Sequence, residues 1–430
     1  MFSSEQVDRI FLEHKERQVE GQLLFSTMIR LLLQVVTGNK KSVNAAYKAM
    51  KDELGVSAQS LYNKLAGVEL AVSEALVREP VKDLLPLVQK TGVAYEDPIA
   101  GYHAFILDGK RLDGTEHRLR ETRTISNGPL PGTVIGMLDT RYRMFVDVAF
   151  HEDGHACERK IVESMMERLE EGALYIQDRN FSDGPLIDCF LSAKALFITR
   201  QHGQSPKWRK TGALKKKGRD ACDGTVFEQP VEVRLPDGSW AKLRRILIKL
   251  AKPTRNGEKE IAILTNLPAK VSAMQIANAY RHRWTIETCL GHLATALNAE
   301  INTLAYPRAA LACFAVALMS FNLITTLETL LREKVKDKKK RPKLSKYYLA
   351  CEIVETFRGL EIMSTDDDWR AIAKLPLNEF YAWAKAVARR ADLSRYTSTT
   401  RGEKKPPPKR RKVNNSTHIS THKILLERAK

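Results

Sequence analysis

The sequence is poor in the features that mark secreted, zinc-binding or membrane proteins. Its six cysteines are scattered without a Cys-x-x-Cys pair, so neither a zinc ribbon nor a disulfide framework is supported. The opening residues are charged throughout and lack the apolar segment of a signal peptide. The one long uncharged stretch, Ala309–Thr326, has polar residues crowded in its second half. We therefore expect a buried core helix there and reduced thiols in a cytosolic protein.

Acidic residues are outnumbered. The chain has 70 Lys and Arg against 51 Asp and Glu, a formal net charge of +19. Nucleic acid is the commonest acidic polymer that such a surface would meet, with an anionic membrane as the rival. The charge is densest in residues 207–219, with seven basic residues and no acid, and in residues 401–430, with a net of +8 beside three consecutive prolines. The second segment is predicted to be a disordered basic tail.

The first 95 residues carry helical patterns. Residues 20–37 are apolar at helical spacing, and two shorter helical patterns follow on either side of Gly55. The later one begins at Ser57, a good N-cap, and presents Gln59, Ser60, Asn63 and Lys64, which could reach bases or phosphates in a major groove. Such a helical hairpin is also a common packing unit, so both interpretations stay open. Pro80 and Pro86 are expected to break the helical pattern.

From residue 96 onward the hydrophobic period is that of strands. Three strand patterns, a helix pattern and another strand follow one another, which indicates an α/β core. A later segment with Asp-Gly and Asn-Gly turns has the signal of a β-meander. The predicted units are an N-terminal helical DNA-binding domain (1–95), the core in two parts (96–205 and 263–328), a β insertion between them (206–262), a C-terminal helical domain (329–398) and the basic tail (399–430).

The stretch YRHRWTIE stands out in the second part of the core. Tyr280, Arg283 and Glu287 are three and then four residues apart, so one helix would present them on one face. An adjacent apolar stripe, Ile286, Leu290, Leu293 and Leu297, would anchor that helix against a core.

Two aspartates lie where short apolar runs end. Asp108 follows AFIL and Asp178 follows ALYIQ, each at the point where a buried strand would emerge from a sheet. Carboxylates at strand ends, joined by one from a helix, suit Mg²⁺ or Mn²⁺ rather than zinc. Asp113 and Asp139 compete with Asp108 for the first carboxylate.

With these stretches the chain resembles the DDE transposases of bacterial insertion sequences, in the insertion-sequence-four branch with its Tyr-x2-Arg-x3-Glu-x6-Lys signature. The residues that carry the match are Tyr280, Arg283 and Glu287 for the signature, Asp178 to Phe181 for the family's second motif, and Asp108 with Gly109 for its first. The signature's lysine falls on Ala294, so any phosphate contact that it makes in relatives must come from elsewhere or be absent.

The resemblance implies an α/β protein with a ribonuclease-H-like catalytic core, interrupted by the β insertion and flanked by helical domains. It implies a DNA transposase that cuts the ends of a mobile element and joins them to target DNA. Two divalent ions, Mg²⁺ with Mn²⁺ as a substitute, would be held by Asp108, Asp178 and Glu287. The expected partner is double-stranded DNA, bound by a homodimer in the bacterial nucleoid without any membrane.

Several side chains are candidates for contacts with DNA. Arg283 and Tyr280 would grip phosphates beside the carboxylates, and Trp240 or Trp208 could stack on an extruded base. The remaining candidates are Arg179, Arg200, Lys215, Lys216 and Lys217. Two other functions stay open: a plain metal-dependent nuclease of the same fold, and a transposase-derived DNA-binding protein without activity.

Overall fold

A computed structural model describes residues 4–254, 257–333 and 416–429, together with single positions at 337, 346, 349, 379, 411 and 413. The predicted C-terminal helical domain, 329–398, lies largely outside the described residues.

The N-terminal part of the chain is helical, as its periodicity predicts. Ser57 caps the fifth helix by accepting a hydrogen bond from the backbone N–H of Ser60. Gly55 ends the preceding helix with a φ of 62°, a conformation that glycine adopts without strain. The helices are α1 (Ser4–His14), α2 (Phe25–Val36), α3 (Val43–Ala49), α4 (Lys51–Leu54), α5 (Ala58–Gly67) and α6 (Leu70–Lys90).

Helix α6 runs through both prolines that were expected to break it, so this prediction is wrong. Each internal proline costs a helix about 3 kcal/mol. The apolar face of α6, from Val72 to Val88, is buried against strand and helix neighbours of the core. Burial of that face outweighs the local cost, which a pattern of prolines alone cannot show.

The central sheet begins with five strands separated by two helices. The order across the sheet is β4-β3-β1-β5-β6: β1 pairs antiparallel with β3 and parallel with β5. The predicted succession of three strands, a helix and a strand is present and is consistent with a ribonuclease-H-like core. The elements are β1 (Ala104–Arg111), β2 (Gly128–Leu130), β3 (Thr133–Asp139), β4 (Phe145–His151), α7 (Glu158–Met166), β5 (Leu174–Gln177), α8 (Gly184–Ser192) and β6 (Leu196–Arg200).

The strands of the predicted β insertion continue this same sheet. The last of them, β11, pairs antiparallel with β6, and the order continues β11-β10-β9-β7, with β8 also paired to β9. These strands are β7 (Trp208–Lys210), β8 (Lys215–Arg219), β9 (Thr225–Arg234), β10 (Trp240–Lys249) and β11 (Glu260–Thr265).

Between residues 266 and 333 the chain forms the helices α9 (Ala273–Arg281), α10 (Trp284–Ala296) and α11 (Pro307–Glu333). Helix α11 has the length and apolarity of a membrane span, but 89% of its most apolar window is buried inside the protein. Asn322 shows how it is fixed there: its side-chain oxygen accepts from the N–H of Phe145 at 2.9 Å, and its nitrogen donates to the carbonyl of Phe145 at 2.8 Å. The structure thus gives α11 the place of a core helix.

The prediction of a disordered tail is wrong for residues 416–429. Strand β12 (His418–Ser420) pairs in parallel with β2, and helix α12 (Thr421–Ala429) follows it. The hydroxyl of Thr421 donates to the carbonyl of Leu130 at 3.1 Å. Tertiary pairing orders this segment despite the basic, proline-rich sequence before it.

Candidate active site

The two aspartates that were predicted at strand ends lie side by side, but only Asp178 is at a strand end, since β1 continues past Asp108 to Arg111. Asp108 is in β1 and Asp178 directly follows β5, and the parallel register pairs Leu107 with Gln177, the residues just before them. Glu287 approaches from α10. All three side chains line one cavity of about 450 Å³, at an edge of the sheet where parallel strands end.

The helix that carries Tyr280, Arg283 and Glu287 is interrupted, whereas the spacing predicted one continuous helix. Helix α9 ends at Arg281 and α10 begins at Trp284. At the junction, the N–H groups of His282 and Arg283 bond three residues back, to Ala279 and Tyr280, as in a 3₁₀ turn. Arg283 keeps helical backbone angles, and all three side chains still point to the aspartates.

Arg283 bridges two of the carboxylates. Its Nη1 lies 2.8 Å from Asp108 Oδ2 and 2.8 Å from Glu287 Oε1, and its side chain is only 11% exposed. The phenol of Tyr280 donates to Asp178 Oδ1 at 3.2 Å. Each acid therefore has a polar partner.

Burial is the main influence on the Asp108 carboxyl and raises its pKa to about 7. The Arg283 guanidinium opposes this rise, while the negative charges of Asp178 and Glu287 add to it. Burial also raises the pKa of Tyr280, helped by Asp178, so the phenol remains a proton donor at neutral pH.

The raised pKa of Asp108 predicts a pH-dependent stability. A carboxyl whose pKa is higher in the folded than in the unfolded chain favours folding only while protonated. Its contribution is therefore lost as pH rises from about 4, the usual value, to about 7. Asp108→Asn stays neutral at every pH. We therefore expect its unfolding free energy, relative to that of the unsubstituted protein, to increase by a few kcal/mol as pH rises through this window. Above the window the difference should stay constant.

The measurement is urea unfolding of the two metal-free proteins at a series of pH values, with Asp113→Asn, at an exposed position, as the matched control. A difference between Asp108→Asn and the unsubstituted protein that stays constant over the whole series would contradict the expectation.

The carboxylates suit a hard divalent cation by chemistry, since the donor set is oxygen only and the negative charges of Asp178 and Glu287 raise the pKa of Asp108. Among the described residues, no three carboxylate, histidine or cysteine side chains lie close enough to hold an ion as they stand. The Arg283 guanidinium lies between Asp108 and Glu287 instead. An ion bound by all three acids would have to displace it.

Neither competing aspartate lines this cavity. Asp139 is fully buried at the β3–β4 hairpin, where it accepts from the N–H of Arg141 at 2.7 Å and lies 2.9 Å from His103 Nε2. Asp113 lines a separate cavity of about 200 Å³. Asp139 therefore stabilises a turn.

The cavity has further polar walls. Asn180 donates from Nδ2 to Glu158 Oε2 at 3.0 Å, and a Cβ added at Gly109 would lie 2.6 Å from the Glu158 carboxyl. Glycine after Asp108 thus leaves the space that the Glu158 carboxyl occupies. Lys110, which also lines the cavity, was not singled out from the sequence. Its position two residues after Asp108 on a strand is the signal that could have found it.

The other candidate DNA contacts lie outside the lining of this cavity. Arg179 and Arg200 share Glu258, at 3.3 and 2.5 Å. Two tryptophans are covered by arginines: Arg209 lies 4.2 Å from the Trp240 ring centre and Arg245 lies 4.9 Å from that of Trp208.

The three lysines of β8 are exposed. Lys217 pairs with Glu228 at 3.4 Å, and Lys215 and Lys216 are exposed beside it on the same strand.

Comparison with known proteins assigns a family to the region that carries this site. The family model described as transposase DDE domain matches residues 101–323, from the residues just before β1 to well inside α11. No curated protein matches the chain. Because the matched region holds all three carboxylates and covers more than half of the sequence, the chain belongs to the family of transposase DDE domains.

Proposed function

We propose that this protein is a DNA transposase that cleaves the ends of a mobile insertion element and joins them to target DNA. Membership of the family supports a DNA-processing enzyme with DNA as its substrate. The observation that carries the finer proposal is the meeting of Asp108, Asp178 and Glu287 at one cavity, with Arg283 and Tyr280 bonded to them.

The family is generally dependent on divalent metal. We propose that Asp108, Asp178 and Glu287 would hold two Mg²⁺ ions, with Mn²⁺ as a substitute. Bound there, the metal would supply an activated water or hydroxyl and neutralise charge on the phosphate. The chain's own residues orient the carboxylates and bind the phosphate. Tyr280 orients Asp178 through its phenol, and Arg283 is freed to bind phosphate with two N–H groups.

Assignment to the insertion-sequence-four branch is part of this proposal. Tyr280, Arg283 and Glu287 support it by spacing and by their convergence on the aspartates. Ala294 lines the same cavity, so the position of the missing signature lysine faces the proposed site.

We further propose that α5 reads the element's end. A cavity of about 920 Å³ runs along this helix, and its described lining holds no carboxylate. Gln59 and Asn63 face it together with Tyr62 and Arg118, and amide side chains of this kind can bond base edges. We also propose that the protein binds DNA as a homodimer, which holds the two ends of the element together.

The deciding experiment needs inverted repeats to be found on either side of the coding region, and it uses them as labelled duplexes. Incubation with Mg²⁺ or Mn²⁺ and a target plasmid should give cleavage at the repeat end and joined products. Cleavage without joining would favour the alternative of a metal-dependent nuclease. Binding without cleavage would favour an inactive DNA-binding descendant.

Binding should depend strongly on salt and draw on β8. We expect the triple variant Lys215→Ala, Lys216→Ala and Lys217→Ala to bind all sequences more weakly. The slope of log affinity against log salt concentration should fall in magnitude by at least about one, because fewer counterions are released on binding when phosphate contacts are lost. The measurement is fluorescence anisotropy over a salt series, with Lys82→Ala and Lys90→Ala on α6 as the matched control. Loss of preference for one sequence at unchanged bulk affinity would contradict this prediction.

A further inference from the structure

The cavity at the candidate active site has two cations in its described lining, Lys110 and Arg283. Arg283 is committed to Asp108 and Glu287, each at 2.8 Å. Lys110 is not bonded to any of the three acids. Its ammonium lies 2.8 Å from Glu300 Oε1, in a pair whose side chains are 24% and 14% exposed.

Strand geometry directs Lys110 to the site. Residues two apart on a strand point to the same face, about 7 Å from each other, and Lys110 is two residues after Asp108 on β1. A lysine side chain spans a comparable distance and rotates freely about its stem. The ammonium can therefore reach a group that sits beside Asp108 without any change in the backbone.

The facing wall leaves room for such a group. Glu287, Gly291 and Ala294 lie four and then three residues apart on α10, which places them along one face, and all three line the cavity. A Cβ added at Gly291 would meet nothing within 4 Å, and Ala294 is exposed. The cavity is thus open along the helix beyond the carboxylates.

We propose that Lys110 binds a DNA phosphate next to the scissile one, leaving Glu300 when DNA enters the cavity. This inference rests on the proposed function. Carboxylates dominate the cavity, and Arg283 is already proposed to bind the phosphate at the three acids, so the neighbouring phosphate needs a second positive partner. Lys110 provides one, and its ion pair with Glu300 holds the charge at the rim until DNA replaces that carboxylate as the partner.

A purely structural role for Lys110 makes a different prediction. In that case the ion pair only ties β1 to the segment before α11, and Glu300→Gln should reproduce the effects of Lys110→Gln. Glu300→Gln keeps the oxygen that accepts from the N–H of Asp113, so it isolates the ion pair. On our proposal this variant releases the lysine and leaves DNA binding unchanged or tighter.

The test uses the full-length protein and a labelled end duplex. We expect Lys110→Gln to lower the salt slope by about one and to slow cleavage by about tenfold to a hundredfold, the effect of one charge-assisted hydrogen bond. Ala294→Lys in the same chain should restore the slope and most of the rate. Long helical side chains lean towards the helix N-terminus, which directs a lysine introduced at position 294 over Gly291 towards Glu287.

An unchanged salt slope and rate in Lys110→Gln would overturn the proposal, as would an equal loss in Glu300→Gln. If the unsubstituted protein binds the duplex without cutting it, the proposed function fails, while the salt slopes of the two variants still decide the role of Lys110.

Discussion

Glu287→Gln is expected to abolish cleavage and joining while leaving binding to the element's end nearly unchanged. The substitution keeps the shape of the side chain but removes its negative charge. The Glu287 side chain is 35% exposed at the cavity and pairs with Arg283. A divalent ion would lose one ligand and the charge that holds it. Metal assistance contributes several kcal/mol to the lowering of such barriers, so the loss of rate should be about a thousandfold or more.

Binding should survive because affinity for DNA comes from lysine and arginine contacts, and the loss of a carboxylate near phosphates relieves repulsion. The measurement is cleavage of a labelled end duplex in Mg²⁺ or Mn²⁺, beside a gel shift on the same duplex. Glu163→Gln, at an exposed position of α7, is the matched control. A Glu287→Gln protein that cuts at the native rate would sink the proposed mechanism.

Arg283→Ala is expected to have the largest effect on stability. The guanidinium is 11% exposed and lies between two carboxylates, so its removal leaves Asp108, only 15% exposed, without its cationic partner. Breaking a buried ion pair in this way costs roughly 3–5 kcal/mol. Part of that cost should be avoided by protonation of Asp108, since Arg283 is the group that most opposes the rise of its pKa.

Added Mn²⁺ should separate this variant from the unsubstituted protein. In Arg283→Ala no guanidinium competes for the carboxylates, so the ion should raise the melting temperature of the variant by more than that of the unsubstituted protein. Arg30→Ala, which breaks an exposed pair with Glu53, is the control and should cost less than about 1 kcal/mol. Equal shifts with Mn²⁺ in both proteins would show that Arg283 does not occupy the ion's place.

Local sequence predicts much of what positions the candidate site. The apolar runs before Asp108 and Asp178 locate two strands, although β1 continues beyond Asp108 to Arg111. The stripe from Ile286 to Leu297 fixes the face on which Glu287 lies. These signals are local because side-chain direction alternates along a strand and repeats along a helix.

What the sequence could not predict depends on contacts between distant residues. The pairing of His418 with Gly128 joins positions far apart in the chain, and no local pattern in a basic tail contains it. The same holds for the prolines that α6 tolerates once it is buried, and for the tight turn at His282 and Arg283 that separates α9 from α10. The ion pair of Lys110 with Glu300 is another such contact, because Glu300 lies on an irregular segment far along the chain.

The continuity of the sheet has a consequence for the length of DNA that the protein can engage. Six strand spacings separate β1 from β8, through β5, β6, β11, β10 and β9. At about 4.8 Å each they span at most roughly 29 Å. Duplex DNA advances 3.4 Å per base pair, so the lysines of β8 would meet the backbone no more than about eight base pairs from the phosphate at Asp108. The number of hydrogen-bonded strands between β1 and β8 would then set the distance along DNA between the two contacts.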